Sequence, residues 1–171
     1  MGVCTNESLK ITGVDAVTEK VLPMNLCGVL TGQHIYISMK TAEKMTITIT
    51  VTGDREQKWN LLVRQFESTQ TDYLAPRGCL QYFREDAATF STFNHNGGDG
   101  ELLNDHMYSV CLAENEAYCD VSLTSSAFDL KGTAGACSDA VAFGSSAFCG
   151  QTFANMGTLL CNIMHPHLAP D

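Results

Sequence analysis

Eight cysteines constrain this chain of 171 residues more than any other feature of its sequence. An even number of cysteines, with no closely spaced CxxC pair, gives little support for a zinc site. Dispersed cysteines of this kind indicate structural disulfides, which persist in oxidising compartments. We therefore predict four disulfides in a secreted, extracellular protein. The eight residues are Cys4, Cys27, Cys79, Cys111, Cys119, Cys137, Cys149 and Cys161.

The first residues of the chain bear on secretion in two ways. The sequon Asn6-Glu7-Ser8 agrees with an extracellular location and makes Asn6 a candidate site for N-glycosylation. Residues 1–4 carry neither the basic region nor the apolar core of a signal peptide. We therefore expect the sequence to begin inside a longer precursor.

Composition excludes two classes of function. The chain has 19 acidic against 10 basic residues, whereas a nucleic-acid-binding face requires clustered Lys and Arg. Its hydrophobic content of 44% suits a packed globular protein. No stretch approaches the roughly 18 consecutive apolar residues of a membrane-spanning helix. We predict neither nucleic-acid binding nor a membrane span.

Residues 45–52, of sequence MTITITVT, carry the strongest local pattern. Strict alternation predicts a strand with one face packed inward and a threonine face in water; edge-on pairing of the threonines with another chain is the alternative. Helix is limited to one turn near residues 41–44. Short strands separated by glycine-containing turns predict an all-β sandwich. Further strands are predicted at residues 34–39, 59–66, 79–83, 89–93, 108–112, 118–124 and 140–143.

A short pattern occurs twice in the chain. A cysteine is followed by an acidic residue, a strand and a Cys-Gly pair, first from Cys4 to Gly28 and again from Cys137 to Gly150. The polar stretch at residues 69–78 lies between the two copies and contains Pro76. The repetition suggests related modules on either side of a linker.

The combination of cysteine spacing and short motifs resembles the CUB domain family of extracellular β-sandwiches, closest to poorly characterised secreted arthropod members. The resemblance implies antiparallel jelly-roll units. Residues 1–68 then correspond to the later strands of one incomplete unit, residues 69–78 to a linker, and residues 79–171 to a second unit. The motifs that carry it include Cys27-Gly28, Thr31-Gly32-Gln33-His34, Gly78-Cys79-Leu80-Gln81-Tyr82-Phe83, Thr92-Phe93-Asn94-His95, Tyr108-Ser109-Val110-Cys111 and Phe128-Asp129-Leu130.

Disulfide pairing follows from this resemblance and from the repeat. The family pattern implies Cys79–Cys111 and Cys137–Cys149. The repeat then pairs Cys4 with Cys27, which leaves Cys119–Cys161. We expect each bond to stabilise the fold by about 2–4 kcal/mol, mostly by restricting the unfolded chain.

An incomplete first unit exposes an apolar face and open strand edges, which do not persist unprotected. Three explanations remain open at this point: missing upstream sequence, intimate packing of the two halves, or strands supplied by a neighbouring chain.

Candidate metal sites each lack a necessary feature. Many CUB domains bind calcium through a glutamate after Phe-Asp-Leu, but here Lys131 occupies that position, so we predict no calcium. Residues 94–101 lack the ligand spacing of an EF-hand and are interpreted as a surface turn. His165 and His167 flank Pro166, which directs their imidazoles apart, so a solvated tail is expected. We predict no metal and no cofactor.

Nothing in the sequence connects a catalytic set. The segment Gly144-Ser145-Ser146-Ala147 is not the G-x-S-x-G elbow of a hydrolase, and every cysteine has a structural partner. We predict a non-catalytic protein–protein interaction or assembly module, bound to other extracellular chains in homo- or hetero-oligomers. The alternatives are a lectin-like, carbohydrate-binding domain and an accessory region of a secreted protease. Sugar stacking would use aromatics that we otherwise expect to pack inside the sandwich: Trp59, Tyr36, Phe83, Phe93 and Phe128.

Overall fold

The computed structural model describes residues 2–23, 25–52, 54, 56, 58–113, 120–133, 136–151, 153 and 156–159. The chain divides into two compact units, Met1–Glu114 and Asn115–Asp171. The linker expected at residues 69–78 lies within the first of these units. The division into CUB-like modules on either side of it stays a prediction.

The first unit begins with an antiparallel pair of strands, β1 (Glu7–Thr12) and β2 (Thr46–Val51). Leu9 lies opposite Ile49 and Ile11 opposite Ile47, so the apolar residues of both strands share one face. The alternate threonines of β2 are exposed, whereas its isoleucines are half-buried. The alternation predicted from the sequence is confirmed.

The second pair of strands in this unit is β3 (Cys79–Phe83) and β4 (Ser109–Leu112). Both were predicted, but they run parallel, whereas the expected sandwich is antiparallel. Parallel neighbours need a crossover connection of a dozen or more residues, which residues 84–108 provide. The disulfide Cys79–Cys111, with Cα atoms 5.6 Å apart, joins the two strands.

The core of the first unit is small. Its buried cluster consists of Leu26, Leu80, Phe93 and Leu103, and the Cys4–Cys27 disulfide packs against it. Sheets with so few buried side chains gain only part of the stability of a large domain. The disulfides therefore contribute a large share of the stability.

A polar chain is buried beside this core. Gln81 is 1% exposed and donates its side-chain amide to the Gln33 side chain at 2.7 Å. Gln33 in turn donates to the hydroxyl of Ser91 at 2.8 Å. Buried amides need such partners because their desolvation is costly. The chain fixes residues 33 and 91 against β3.

One short helix, α1 (Thr18–Val21), escaped prediction because a single turn has no readable periodicity. Asp15 accepts the backbone N–H of Thr18 at 2.8 Å and pairs with Arg77 at 3.2 Å. The Thr18 hydrogen bond, more than Arg77, lowers the pKa of Asp15 below its ordinary value of 3.8. Residues 41–44 form a turn and not the predicted single turn of helix, because Ala42 has a φ of 61°.

Two 3₁₀ turns, Thr71–Tyr73 and Asn96–Gly98, complete the first unit.

The second unit consists of antiparallel strand pairs. A two-residue turn, Gly144-Ser145, joins the strands Val141–Phe143 and Ser146–Phe148, and Gly144 has the positive φ of 59° that a type II′ turn needs at its first position. The Cys137–Cys149 disulfide and the Phe128–Phe153 contact lie in the same unit. The pairs are β5 (Asp120–Leu123) with β10 (Met156–Leu159), β6 (Gly132–Thr133) with β7 (Ala136–Cys137), and β8 (Val141–Phe143) with β9 (Ser146–Phe148).

The fold is all-β, with small sheets and disulfides, and this confirms the predicted class. Three predicted strands are wrong. Residues 34–39, 59–66 and 89–93 form no strand, although their composition favours one. Residues 34–39 make only isolated bonds, such as Tyr36 N–H to Leu80, and residues 59–66 make no backbone hydrogen bond to another described residue, so neither segment has a continuous ladder.

His106 supplies a pH-dependent contribution to stability. Its Nε2–H donates to the carbonyl of Asn25 at 3.1 Å, and its ring lies edge-on to Phe93. Burial is the main cause that lowers its pKa below 6.5. The folded protein therefore holds His106 neutral at pH values where the unfolded chain binds a proton. Its stabilisation is present above pH 6.5 and is lost as the pH falls through the lowered pKa.

As the pH falls from neutral to below 6.5, we expect the free energy of unfolding to decrease less in the His106→Gln variant than in the wild type. Urea unfolding across this range measures the effect. Parallel stability–pH curves for the two proteins would contradict this role of His106.

Candidate functional site

The candidate site is an apolar groove of about 1030 Å³ in the first unit. Its floor is the apolar face of β1 and β2, including Leu9 and Ile47. Residues 34–39 form one wall and residues 61–66 the other. We call it the apolar groove. It has the size and lining of a binding cleft.

One wall belongs to an unusual segment, residues 59–66, which we call the exposed segment. It contains no helix, strand or turn, and every residue in it is exposed. Trp59 is 66% exposed and Leu62 is 80% exposed. Within the described part of the chain, its backbone makes no hydrogen bond. The expectation that Trp59 packs inside a strand is wrong, because the segment has no strand beside it.

The edge of β2 that faces away from β1 is also unpaired. Leu9 exchanges both backbone hydrogen bonds with Leu26, so its N–H and C=O point away from β2. Hydrogen-bonded and non-bonded pairs alternate in an antiparallel ladder, and Thr52 bonding to Asn6 agrees with this phase. The backbone groups of Ile47, Ile49 and Val51 therefore point to the outer edge. Among the described residues nothing pairs with them.

The far end of the exposed segment packs against the turn that follows it. The rings of Phe66 and Tyr73 stack with centroids 5.5 Å apart and planes 3° apart. The N–H of Glu67 donates to the side chain of Gln70 at 2.8 Å. These contacts join the end of the segment to residues 70–73.

An aromatic cluster forms the end of the opposite wall. His34 accepts the N–H of Tyr82 through Nε2 at 3.3 Å, and the N–H of Tyr36 donates to Leu80. The His34 ring lies edge-on to Phe83 at 4.9 Å. These bonds fix residues 34–36 against β3, so this wall is preorganised. Tyr36 and Phe83 are half-buried and Phe93 is buried, as expected.

The turn at residues 94–101 is hydrogen-bonded to the backbone at Val29 through Asn94. Asn94 accepts the N–H of Val29 at 3.0 Å and donates to the carbonyl of Glu101 at 3.1 Å. Gly28 has a φ of 77°, and a Cβ there would lie 2.0 Å from the Asn94 side-chain oxygen. A larger residue at position 28 would displace this amide. The Cys-Gly pair and Asn94 are therefore two parts of one contact.

Lys131 occupies the position where many CUB domains have a calcium-binding glutamate. Lys131 accepts the N–H groups of Ser138 and Asp139 through its carbonyl, and its side chain is exposed. A cationic side chain replaces a carboxylate ligand that a hard cation needs. Over the part of the chain that the structure describes, no three His, Cys, Asp or Glu residues form a metal-binding group. His165 and His167 lie outside the described residues.

The structure joins three of the four predicted cysteine pairs: Cys4–Cys27, Cys79–Cys111 and Cys137–Cys149. Cys119 and Cys161 lie outside the described residues, so their pairing stays a prediction. Asn6 has an exposed side chain just before β1. Its glycosylation also stays a prediction. No described helix has the length and apolar character to cross a membrane.

The sequence matches a known protein family. The family model of the animal CUB domain matches residues 76–162, about half of the chain and part of both units. The chain therefore belongs to the animal CUB domain family. Such domains are generally extracellular, non-catalytic modules for protein–protein interaction. No curated protein and no solved structure matches the chain.

We predict that calcium leaves the melting temperature unchanged, because Lys131 repels a cation where the family's glutamate would bind one. Thermal unfolding in excess calcium and in excess chelator measures this. A ligand that binds only the folded state raises the melting temperature, so a higher value in calcium would contradict the prediction.

Proposed function

We propose that the protein is a non-catalytic extracellular module that binds an extended protein chain by strand pairing along the apolar groove. The single observation that carries this proposal is the exposed segment: eight residues, rich in large apolar side chains, with an unpaired backbone. Ile47, at the free edge of β2, lines the same groove. Strand addition uses both kinds of surface, since backbone bonds give affinity and side-chain pockets give specificity.

The extent of the exposed apolar surface also supports the proposal. Leu61 and Val63 are 44% and 56% exposed, although both line the apolar groove. Large apolar patches on soluble proteins mark interaction sites or aggregation hazards. A secreted protein that keeps such a patch in solution needs a partner to cover it.

The finer expectations from the sequence belong to this proposal. Secretion is supported by the disulfides, and the predicted glycan at Asn6 is compatible with its exposure. The proposed kinship with secreted arthropod CUB proteins is supported by motifs such as Gly78-Cys79-Leu80-Gln81-Tyr82-Phe83.

A displayed library of short peptides tests the proposal. We expect wild-type protein to select peptides with alternating apolar residues. The double variant Leu61→Asp with Val63→Asp should weaken their binding at least roughly tenfold, because docking would bury charged groups without partners. Fluorescence anisotropy of a selected, labelled peptide measures the affinity.

Met107→Asp is the matched control, since Met107 is 79% exposed in the same unit and does not line the groove. Binding by this variant should equal that of the wild type. If no alternating peptide is selected, or if both variants bind equally, strand pairing at the apolar groove is not the function.

Carbohydrate binding is a second candidate, favoured by the exposed ring of Trp59. A glycan array then gives specific signals that Trp59→Ala abolishes and Tyr73→Ala retains. The absence of any Trp59-dependent glycan would remove this candidate.

A further inference from the structure

The proposed function does not say which extended chain occupies the apolar groove. The exposed segment of this chain has the pattern of such an occupant. We infer that two copies exchange strands, so that the exposed segment of each copy pairs with the free edge of β2 in the other. This inference rests on the proposed function and names its partner as a second copy of the chain.

The first argument is that one chain carries both halves of an unused strand pairing. Ile47, Ile49 and Val51 present unpaired N–H and C=O groups at the edge of β2. The exposed segment presents another such row, and neither row has a partner among the described residues. Backbone groups that leave water need a partner, and each row supplies what the other lacks.

The second argument is the match of the two side-chain patterns. The antiparallel register that places Trp59 opposite Val51 also places Leu61 opposite Ile49. Because side chains alternate along both strands, Val63 then meets Ile47 on the same face. That face continues the apolar floor of the groove. Cross-strand pairs of this kind stabilise a sheet.

In the same register, the opposite face is mostly polar on both strands. Asn60 lies opposite Thr50 and Arg64 opposite Thr46, and the threonines of β2 are exposed to water. Only Leu62 adds a large apolar side chain there. A shift by one residue would turn Asn60 and Arg64 onto the apolar face, so the pattern selects this register.

The third argument explains why the partner strand comes from another copy. Within one chain the exposed segment makes no hydrogen bond to β2, although Leu61 and Ile47 both line the groove. A two-fold arrangement of two copies satisfies both rows on both copies. Isologous exchange of one element is a common route to dimers.

The area is sufficient for a stable dimer. The exposed fractions of Trp59, Leu61 and Val63, with usual side-chain areas, give on the order of 300 Å² of apolar surface per donated strand. Two donated strands and the surfaces that they cover exceed the roughly 1,000 Å² that a specific interface needs.

Cysteine trapping between differently labelled chains tests the inference. Thr48 and Leu62 form a non-hydrogen-bonded pair in this register, where side chains approach most closely. We expect a mixture of Thr48→Cys and Leu62→Cys chains to give a disulfide-linked heterodimer under mild oxidation. A mixture of Thr48→Cys with Ser68→Cys, whose added cysteine is exposed but outside the segment, should not.

Light scattering provides a measurement without added cysteines. The wild type and Met107→Asp should have the mass of two chains, whereas Leu61→Asp with Val63→Asp should raise the dimer dissociation constant at least roughly tenfold. Concentration-dependent protection of the Ile47, Ile49 and Val51 amides from hydrogen exchange should accompany dimerisation.

Two results would overturn the inference. One is a wild-type protein that stays monomeric up to its solubility limit. The other is a chain carrying both Thr48→Cys and Leu62→Cys that closes its disulfide within one monomer, which would show a hairpin inside the chain. Peptide selection separates the two proposals: a monomer that still binds alternating peptides retains the proposed function and loses only the second copy as its occupant.

Discussion

A strand is stable only when its backbone groups have partners, and this chain provides few. Every sheet in the described residues has two strands, so most strands are bonded chiefly along one edge. Two-stranded sheets are marginal in water by themselves. The Cys79–Cys111 bond, which joins β3 to β4, and the Cys137–Cys149 bond, which joins β7 to the end of the β8–β9 hairpin, compensate by restricting the unfolded chain.

The same shortage of partners produces the candidate site. β2 has an ordered ladder with β1 on one edge and an open row of backbone groups on the other. The exposed segment has a strand's composition without a strand's neighbour. Both features border one apolar groove, which is why binding by strand pairing accounts for them together. Catalysis has no comparable support in the geometry of the described residues.

Much of the local structure could be predicted from short-range patterns. The alternation at residues 45–52 is sufficient to orient β2, since period two assigns each side chain to a face. Trp59 could not be placed in this way, because burial of an apolar strand depends on a neighbour that lies far away in sequence. The same reason explains the parallel β3–β4 pair: strand composition carries no information about the direction of the partner.

The sequence by itself indicated the all-β class, because side-chain period is a local property of the chain. Its short motifs resembled the CUB family, and that resemblance, with the repeat, implied the three disulfides that the structure contains. It also predicts that Lys131 prevents calcium binding. Only the tertiary structure decided which strands have partners, and hence that the backbone groups of Ile47, Ile49 and Val51 form an open edge. Pairing depends on contacts between residues distant in the chain, and no local pattern specifies them.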